Sequence, residues 1–355
     1  MQKNVEIVFL GLGNVGAALL GQILDTRDHL AQRAGLRLVP TALSDTGGCL
    51  FDSEGLDDDT LRAALHAVAE GRSLDTLPTI RPLPELKQAF RPGAILVDVT
   101  ASPDVAPILG NALMKGCGVV LANKLPLADD WAQAEDFFDH KKVRYEATVG
   151  AGLPVVDTLR TLLDTGDSVN LIEGCFSGTL GYLCTELECS TAYSQAVKAA
   201  HELGYTEPDP REDLSGRDVA RKAMILARTA GWPLEMTDLA VEKLYPDSLA
   251  ELSAEAFLAA ASSLNEAFAD RFDAAKVNGE TLRYVARLNP DGGQVGLAPV
   301  PKDSLLGALH GPANYVAFHT ERYDVMPLAI SGSGAGVPVT AAGVLGDIID
   351  LAQKR

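Results

Sequence analysis

Between Ala200 and Lys222 the chain reads AHELGYTEPDPREDLSGRDVARK, with Glu207, Asp209, Glu212 and Asp213 on a stretch braced by Pro208 and Pro210. Proline fixes φ and removes a donor, so a helix does not run through both positions. The expectation is a rigid loop ending at Ser215, which N-caps a helix with Asp218 completing a capping box. Asp218 and Lys222 then lie one helical turn apart. Carboxylates on a stiff loop beside a helix-borne amine can grip an amino acid, holding its α-ammonium while lysine reaches its carboxylate or reacting oxygen. The plainer alternative is a solvated acidic turn followed by a surface ion pair worth a few tenths of a kcal/mol.

Four further groups carry chemistry. GLGNVG places glycines at 11, 13 and 16 between an apolar run and a helical pattern. That spacing permits a tight turn, close approach of a pyrophosphate, and helix-on-strand packing, with the phosphates at a helix N-terminus. The context is a strand before and a helix after, which makes dinucleotide binding the expectation. Thr100 and Ala101 end one apolar run and Lys124 follows another, where open parallel sheets bind ligands. Lys124 is read either as a cation beside a nicotinamide or as a solvated surface lysine. Glu146, in YEATVGAGLP, can join bent backbone carbonyls around a hard cation, although a plain strand-to-helix turn is the default reading. The run SGSGAGVPVTAAGVLGD is a second glycine turn opening a helix.

Those groups need elements to hold them. Apolar runs at Val5–Leu10, at GLRLVPTALSD, at GAILVDVTAS, at GCGVVLANK and at KKVRYEATVGAG read as five strands. Helical patterns at Leu56–Glu70, Ala106–Lys115 and Trp131–His140 separate them, which predicts βαβ units and a parallel sheet. Beyond Gly152 the pattern becomes α+β: a strand and helix within DSVNLIEGCFSGTLGYLCTEL, helices at Tyr193–Leu203, Arg217–Ala230 and Ala254–Arg271, strands TLRYVARLN and QVGLAPVP, and a last helix Pro338–Gln353. The fold class expected is α/β, a Rossmann-type doubly wound parallel sheet with a second α+β domain.

The 355 residues exceed one ordinary core, and the mean hydropathy of +0.08 suits a globular chain. A net charge of −18 argues against a nucleic-acid partner. No apolar run reaches the roughly 20 residues of a bilayer span, so no membrane is expected. Five cysteines without a CxxC pair point to a reducing, cytoplasmic setting rather than to a metal cluster. Asp45, after the second strand, leans towards NAD through a ribose 2′-OH, but it is also a natural turn residue before Thr46-Gly47-Gly48.

Ala200-x-x-x-Gly204-Tyr205-Thr206, Asp209-Pro210, Asp213-Leu214, Gly216, Asp218 and Lys222 together resemble the homoserine dehydrogenase signature. Tyr145–Pro154, Gly174–Tyr182 and Gly334–Asp347 resemble further stretches of that family, over nearly the whole chain. The resemblance implies reduction of L-aspartate 4-semialdehyde to L-homoserine with NAD(P)H, towards threonine and methionine. It implies Lys222 as catalytic lysine and Lys124 as the second lysine, rival for the proton donor. It implies substrate contacts from Glu207, Asp213 and Asp218, with Thr179 and Tyr205 from the same motifs. Cofactor contacts are implied at Gly11, Gly13, Asn14, Val15, Gly16, Thr100, Lys124 and Gly336, with NAD slightly favoured over NADP. A sodium site is implied at Glu146 and the carbonyls of Val149, Ala151 and Leu153.

The same resemblance implies a homodimer. The domains expected are residues 1–150 with 334–355 for the dinucleotide, 151–166 with 282–333 for dimerisation, and 167–281 for substrate. Neither the aspartate kinase of fused relatives nor an appended regulatory domain is expected. Two rivals remain. An acylating semialdehyde dehydrogenase would need a thiolate, with Cys175 or Cys117 pressed into service. A redox-sensing dinucleotide module would leave the acidic loop and both lysines without a task.

Overall fold

The computed structural model describes residues 2–354 and divides into two compact units, one running to Gly152 and resuming at Gly336, the other Leu153–Ala335. In the first unit the order is β1 (Lys3–Leu10), α1 (Asn14–Asp25), α2 (Arg27–Ala34), β2 (Leu36–Asp45), β3 (Gly48–Phe51), α3 (Asp58–Ala69), β4 (Ile95–Asp98), α4 (Ala106–Met114), β5 (Gly118–Leu121), α5 (Trp131–Asp139) and β6 (Val143–Arg144). The six strands lie in the order β3-β2-β1-β4-β5-β6. All pairs are parallel except β2 with β3. The order reverses at β1, which has β2 on one side and β4 on the other, so the crevice beyond those strand ends is the switch point where such sheets bind ligands.

The core explains why apolar runs became central strands. Ile7, Phe9, Ile95, Val97 and Val120 are fully buried against Leu19, Leu20 and Ile23 of α1. Ala341, Val344 and Ile348 of the C-terminal helix, Val337–Gln353, join the same core. The N-terminal apolar run Ile7–Leu20 is therefore a strand, a glycine turn and the start of a helix. No helix among the described residues is long and apolar enough to cross a membrane.

Two expectations need correction in this unit. The sheet is not wholly parallel, because Asp45 and Gly48 close a hairpin and put β3 antiparallel on the edge. The fifth strand stops after Arg144: residues Glu146–Thr148 form a tight turn, and Gly150 and Ala151 take φ of 79° and 56°. Backbone in that left-handed region cannot extend a sheet.

The second unit contains α6 (Val155–Asp164), β7 (Val169–Cys175), α7 (Gly178–Glu188), α8 (Tyr193–Glu202), α9 (Pro210–Leu214), α10 (Arg217–Thr229), β8 (Leu239–Val241), α11 (Ala254–Ala260), α12 (Asn265–Val277), β9 (Glu280–Asn289), β10 (Gly292–Pro301), β11 (Ala313–Thr320) and β12 (Leu328–Ser333). Its sheet runs β12-β11-β7-β9-β10-β8, antiparallel except for β10 with β8. The single long helix expected at Ala254–Arg271 is instead broken at Ala261–Leu264. Ser262, Ser263 and Asn265 are weak helix formers, and the Asn265 side chain accepts from Ser194 N at 2.9 Å.

Candidate functional site

The acidic segment folds around one buried carboxylate. Asp213 accepts from the backbone N–H of Glu207 at 2.8 Å and lies 3.1 Å from the Thr179 hydroxyl. The Thr179 oxygen is also 2.5 Å from the carbonyl of Tyr205, so one hydroxyl ties α7 to both ends of the turn. Burial pushes the Asp213 carboxyl above its ordinary value, while the bonds from Glu207 and Thr179 oppose the rise. Glu207 itself is exposed, and the Tyr205 ring packs against Tyr182 with centroids 5.1 Å apart.

Lys222 approaches the same α7 motif from α10. Its ammonium lies 2.7 Å from Asp218 and donates to the carbonyl of Phe176 at 2.8 Å, with the side chain only 14% exposed. The Asp218–Lys222 pair is therefore anchored to a second element through its largely buried ammonium, while the Asp218 side chain stays 45% exposed. An ammonium has three N–H donors, and these partners direct two of them. Gly216 makes this approach possible: its φ is 69°, and a Cβ there would sit 1.9 Å from the Tyr284 hydroxyl. No larger residue fits.

The local helix expectations are corrected. The loop expected to run to Ser215 gives way at Pro210 to the short helix α9, whose first turn takes the proline because its missing N–H costs nothing there. Asp209 caps that helix through Arg211 N and pairs with the Arg211 guanidinium at 2.5 Å, which makes it structural. Ser215 does not cap α10, since Gly216 holds that position, and the Ser215 hydroxyl donates to Glu212 O at 2.7 Å instead.

In the first unit the glycine turn lies at the switch-point end of β1. Gly11 has φ 96°, and a Cβ there would come within 2.7 Å of Thr100 Cγ2, while a Cβ on Gly16 would come within 2.6 Å of Gly11 O. Gly13, at the N-terminus of α1, has nothing within 4 Å of its Cβ position, and no side chain caps that helix. Two glycines thus fit the turn to its own walls, and Gly13 opens onto space at the N-terminus of α1, a position that favours negative charge in any helix. Asn14 and Val15 begin α1, Thr100 follows β4, and Lys124 follows β5 at the start of a short 3-10 turn. Gly336 starts the C-terminal helix with φ 123°.

The family described as "Homoserine dehydrogenase" matches residues 154–349, and "Homoserine dehydrogenase, NAD binding domain" matches residues 11–147. The homoserine dehydrogenase of Paracoccidioides brasiliensis is 42% identical over 278 residues, covering 74% of this chain and 75% of that protein. The chain belongs to the homoserine dehydrogenase family. Bifunctional aspartokinase/homoserine dehydrogenase 2 of Zea mays is 39% identical over 99% of this chain, which spans 39% of that relative's length. A hyperthermophilic archaeal homoserine dehydrogenase in complex with NADPH shares the fold, with a TM-score of 0.76, 23% identity and 99% coverage of each chain.

Placed on that family, the predicted substrate residues Thr179, Tyr205, Glu207, Asp213, Asp218 and Lys222 gather around α7, α9 and α10. Glu146 of the implied sodium site is buried, 6% exposed, with its N–H donating to Asp347 at 2.8 Å. Val149 and Ala151 stay in that turn, whereas Leu153 begins the other unit, where its carbonyl accepts from Val155 N at 2.8 Å. Among the described residues no three His, Cys, Asp or Glu side chains cluster as a metal site. Asp45 is the turn residue: its carboxylate accepts from Gly47 N, Ser73 Oγ and Leu74 N at 2.7–2.9 Å. Missed in the sequence were the Phe176 carbonyl and the buried pair Asp98 and Asn123. A backbone acceptor has no sequence signal, but polar residues at the ends of two apolar strands were visible.

Proposed function

We propose that this chain is an NAD(P)-dependent homoserine dehydrogenase, interconverting L-aspartate 4-semialdehyde and L-homoserine in the biosynthesis of threonine and methionine. The observation carrying the reading is Lys222, aimed by Asp218 and the Phe176 carbonyl within the motif that also pins Asp213. When bound, the reduced nicotinamide supplies a hydride to the aldehyde carbon. Glu207, Asp213 and Asp218 hold the amino acid through its ammonium, with Thr179 and Tyr205 shaping the turn that presents them. Lys222 gives a proton to the forming alkoxide and regains it from solvent, the two directed N–H bonds leaving the third for the substrate oxygen. Lys124 is the cation at the cofactor side.

The glycine turn fits a dinucleotide: Gly13 offers a cradle that a Cβ would fill, at an uncapped helix N-terminus. Gly11, Asn14, Val15, Gly16, Thr100 and Gly336 complete the proposed contacts. Asp45 gives NAD little support once its oxygens close a turn, so both cofactors belong in the assay. Glu146, with the carbonyls of Val149, Ala151 and Leu153, is an oxygen set suited to sodium. A homodimer in the cytoplasm completes the reading, with strands of the second unit as the pairing surface.

The acylating rival finds no support in the thiols. Cys175 and Cys117 are both buried, the Cys175 thiol is pushed up by that burial, and the Cys117 thiol donates to the carbonyl of Arg91 at 3.3 Å. A thiol held protonated is a poor nucleophile. The test is reduction of NAD+ and of NADP+ by the purified chain, followed through the absorbance of reduced nicotinamide. Homoserine-dependent reduction that survives iodoacetamide is expected. Failure with both cofactors would overturn the reading.

A further inference from the structure

Asp98 ends β4 and Asn123 follows β5, and both are buried, 0% and 4% exposed. The Asp98 carboxylate accepts from Thr100 N at 2.9 Å, from the Thr100 hydroxyl at 2.7 Å and from the Asn123 amide at 3.1 Å. The same Asn123 nitrogen donates to Ser102 O at 2.8 Å, and its amide oxygen accepts from Leu125 N at 3.0 Å. One buried link therefore fastens the backbone on both sides of Thr100 to the backbone on both sides of Lys124. Thr100 in turn abuts the glycine turn at Gly11. Burial raises the Asp98 carboxyl, and the bonds from Thr100 and Asn123 oppose that rise. The bonds that carboxylate makes run to the two loops beyond the strand ends, where a residue serving the core alone would be apolar.

We infer that Asp98 and Asn123 are positioning residues that fix the separation of Thr100 and Lys124, and through it the seat of the nicotinamide. The inference rests on the dehydrogenase reading above. Asp98→Asn keeps one oxygen for Thr100 but turns its amide against the amide of Asn123, two donors face to face.

The test is fluorescence titration of NADH and NADPH into the wild type, Asp98→Asn and Asn123→Ala, beside ADP-ribose and its 2′-phosphate, which lack the nicotinamide. Asp98→Asn and Asn123→Ala are expected to weaken the reduced dinucleotides about tenfold, the scale of one lost buried hydrogen bond, and ADP-ribose less than about twofold. Equal weakening of both probes, or no weakening, would overturn the inference. Were Asp98→Asn not to fold, Asn123→Ala carries the same comparison without altering the charge. Wild type that binds dinucleotide yet leaves homoserine untouched sinks only the functional reading, whereas wild type that binds no dinucleotide sinks both.

Discussion

Asp213 shows how one residue trades stability for function. Its folded carboxyl is raised mainly by burial, so the native state keeps the proton to higher pH than the unfolded chain, whose carboxyl titrates near 3.9. The stability from that group is complete below the unfolded value and is lost as pH rises through the raised one. Asp213→Asn escapes the loss. Its amide can donate to the Thr179 oxygen, whose hydroxyl turns to Tyr205 O, while its carbonyl accepts from Glu207 N. The Tm of Asp213→Asn relative to wild type is therefore expected to climb with pH above about 4 and then level off. Homoserine KM is expected to rise about 10- to 100-fold through the lost charge, with dinucleotide affinity unchanged. Scanning calorimetry across pH and steady-state kinetics check the two halves. A Tm difference independent of pH would contradict the first.

Elements position these residues through glycine as much as through strand and helix. Gly13→Ala is expected to leave Tm unchanged, since nothing lies near its Cβ, yet to weaken dinucleotide binding at least about tenfold by blocking close approach of the pyrophosphate. Gly11→Ala is expected to lower Tm as well, because its φ of 96° is strained for alanine and its Cβ meets Thr100. Thermal unfolding beside calorimetric titration separates the two, and a Gly13→Ala chain that binds normally would remove the second glycine from the cofactor site. β1 and α1 were legible because an apolar run breaks at a glycine turn into a helical pattern, and β4 and β5 because their runs are apolar and β-branched and stand between helical patterns. Strand β3, four residues long, and α2, with a polar sequence, carried too little pattern to stand out. The break before α12 combines weak helix formers at Ser262, Ser263 and Asn265 with a bond from Ser194, and a local reading could not supply that distant partner. In the site, residue types marked Glu207, Asp209, Glu212, Asp213, Asp218 and Lys222, the family resemblance chose Glu207, Asp213 and Asp218 among the acids, and the geometry spends Asp209 on Arg211 while Asp213 meets Thr179.

Across the whole molecule a net charge of −18 sets a background of self-repulsion that salt relieves. KCl and NaCl are expected to raise Tm alike through screening, with an additional rise in NaCl alone if the Glu146 turn takes sodium. Glu146→Gln should abolish only that additional rise. Identical curves for the two salts in the wild type would remove sodium from the proposed function. The family assignment covers both units, yet the chemistry depends on one amine giving its proton to one oxygen. The most direct measurement is turnover of homoserine by Lys222→Ala, with dinucleotide affinity measured on the same sample. A fall in kcat of about 100-fold or more with that affinity unchanged is the expected result. Turnover near that of the wild type would contradict the role given to Lys222.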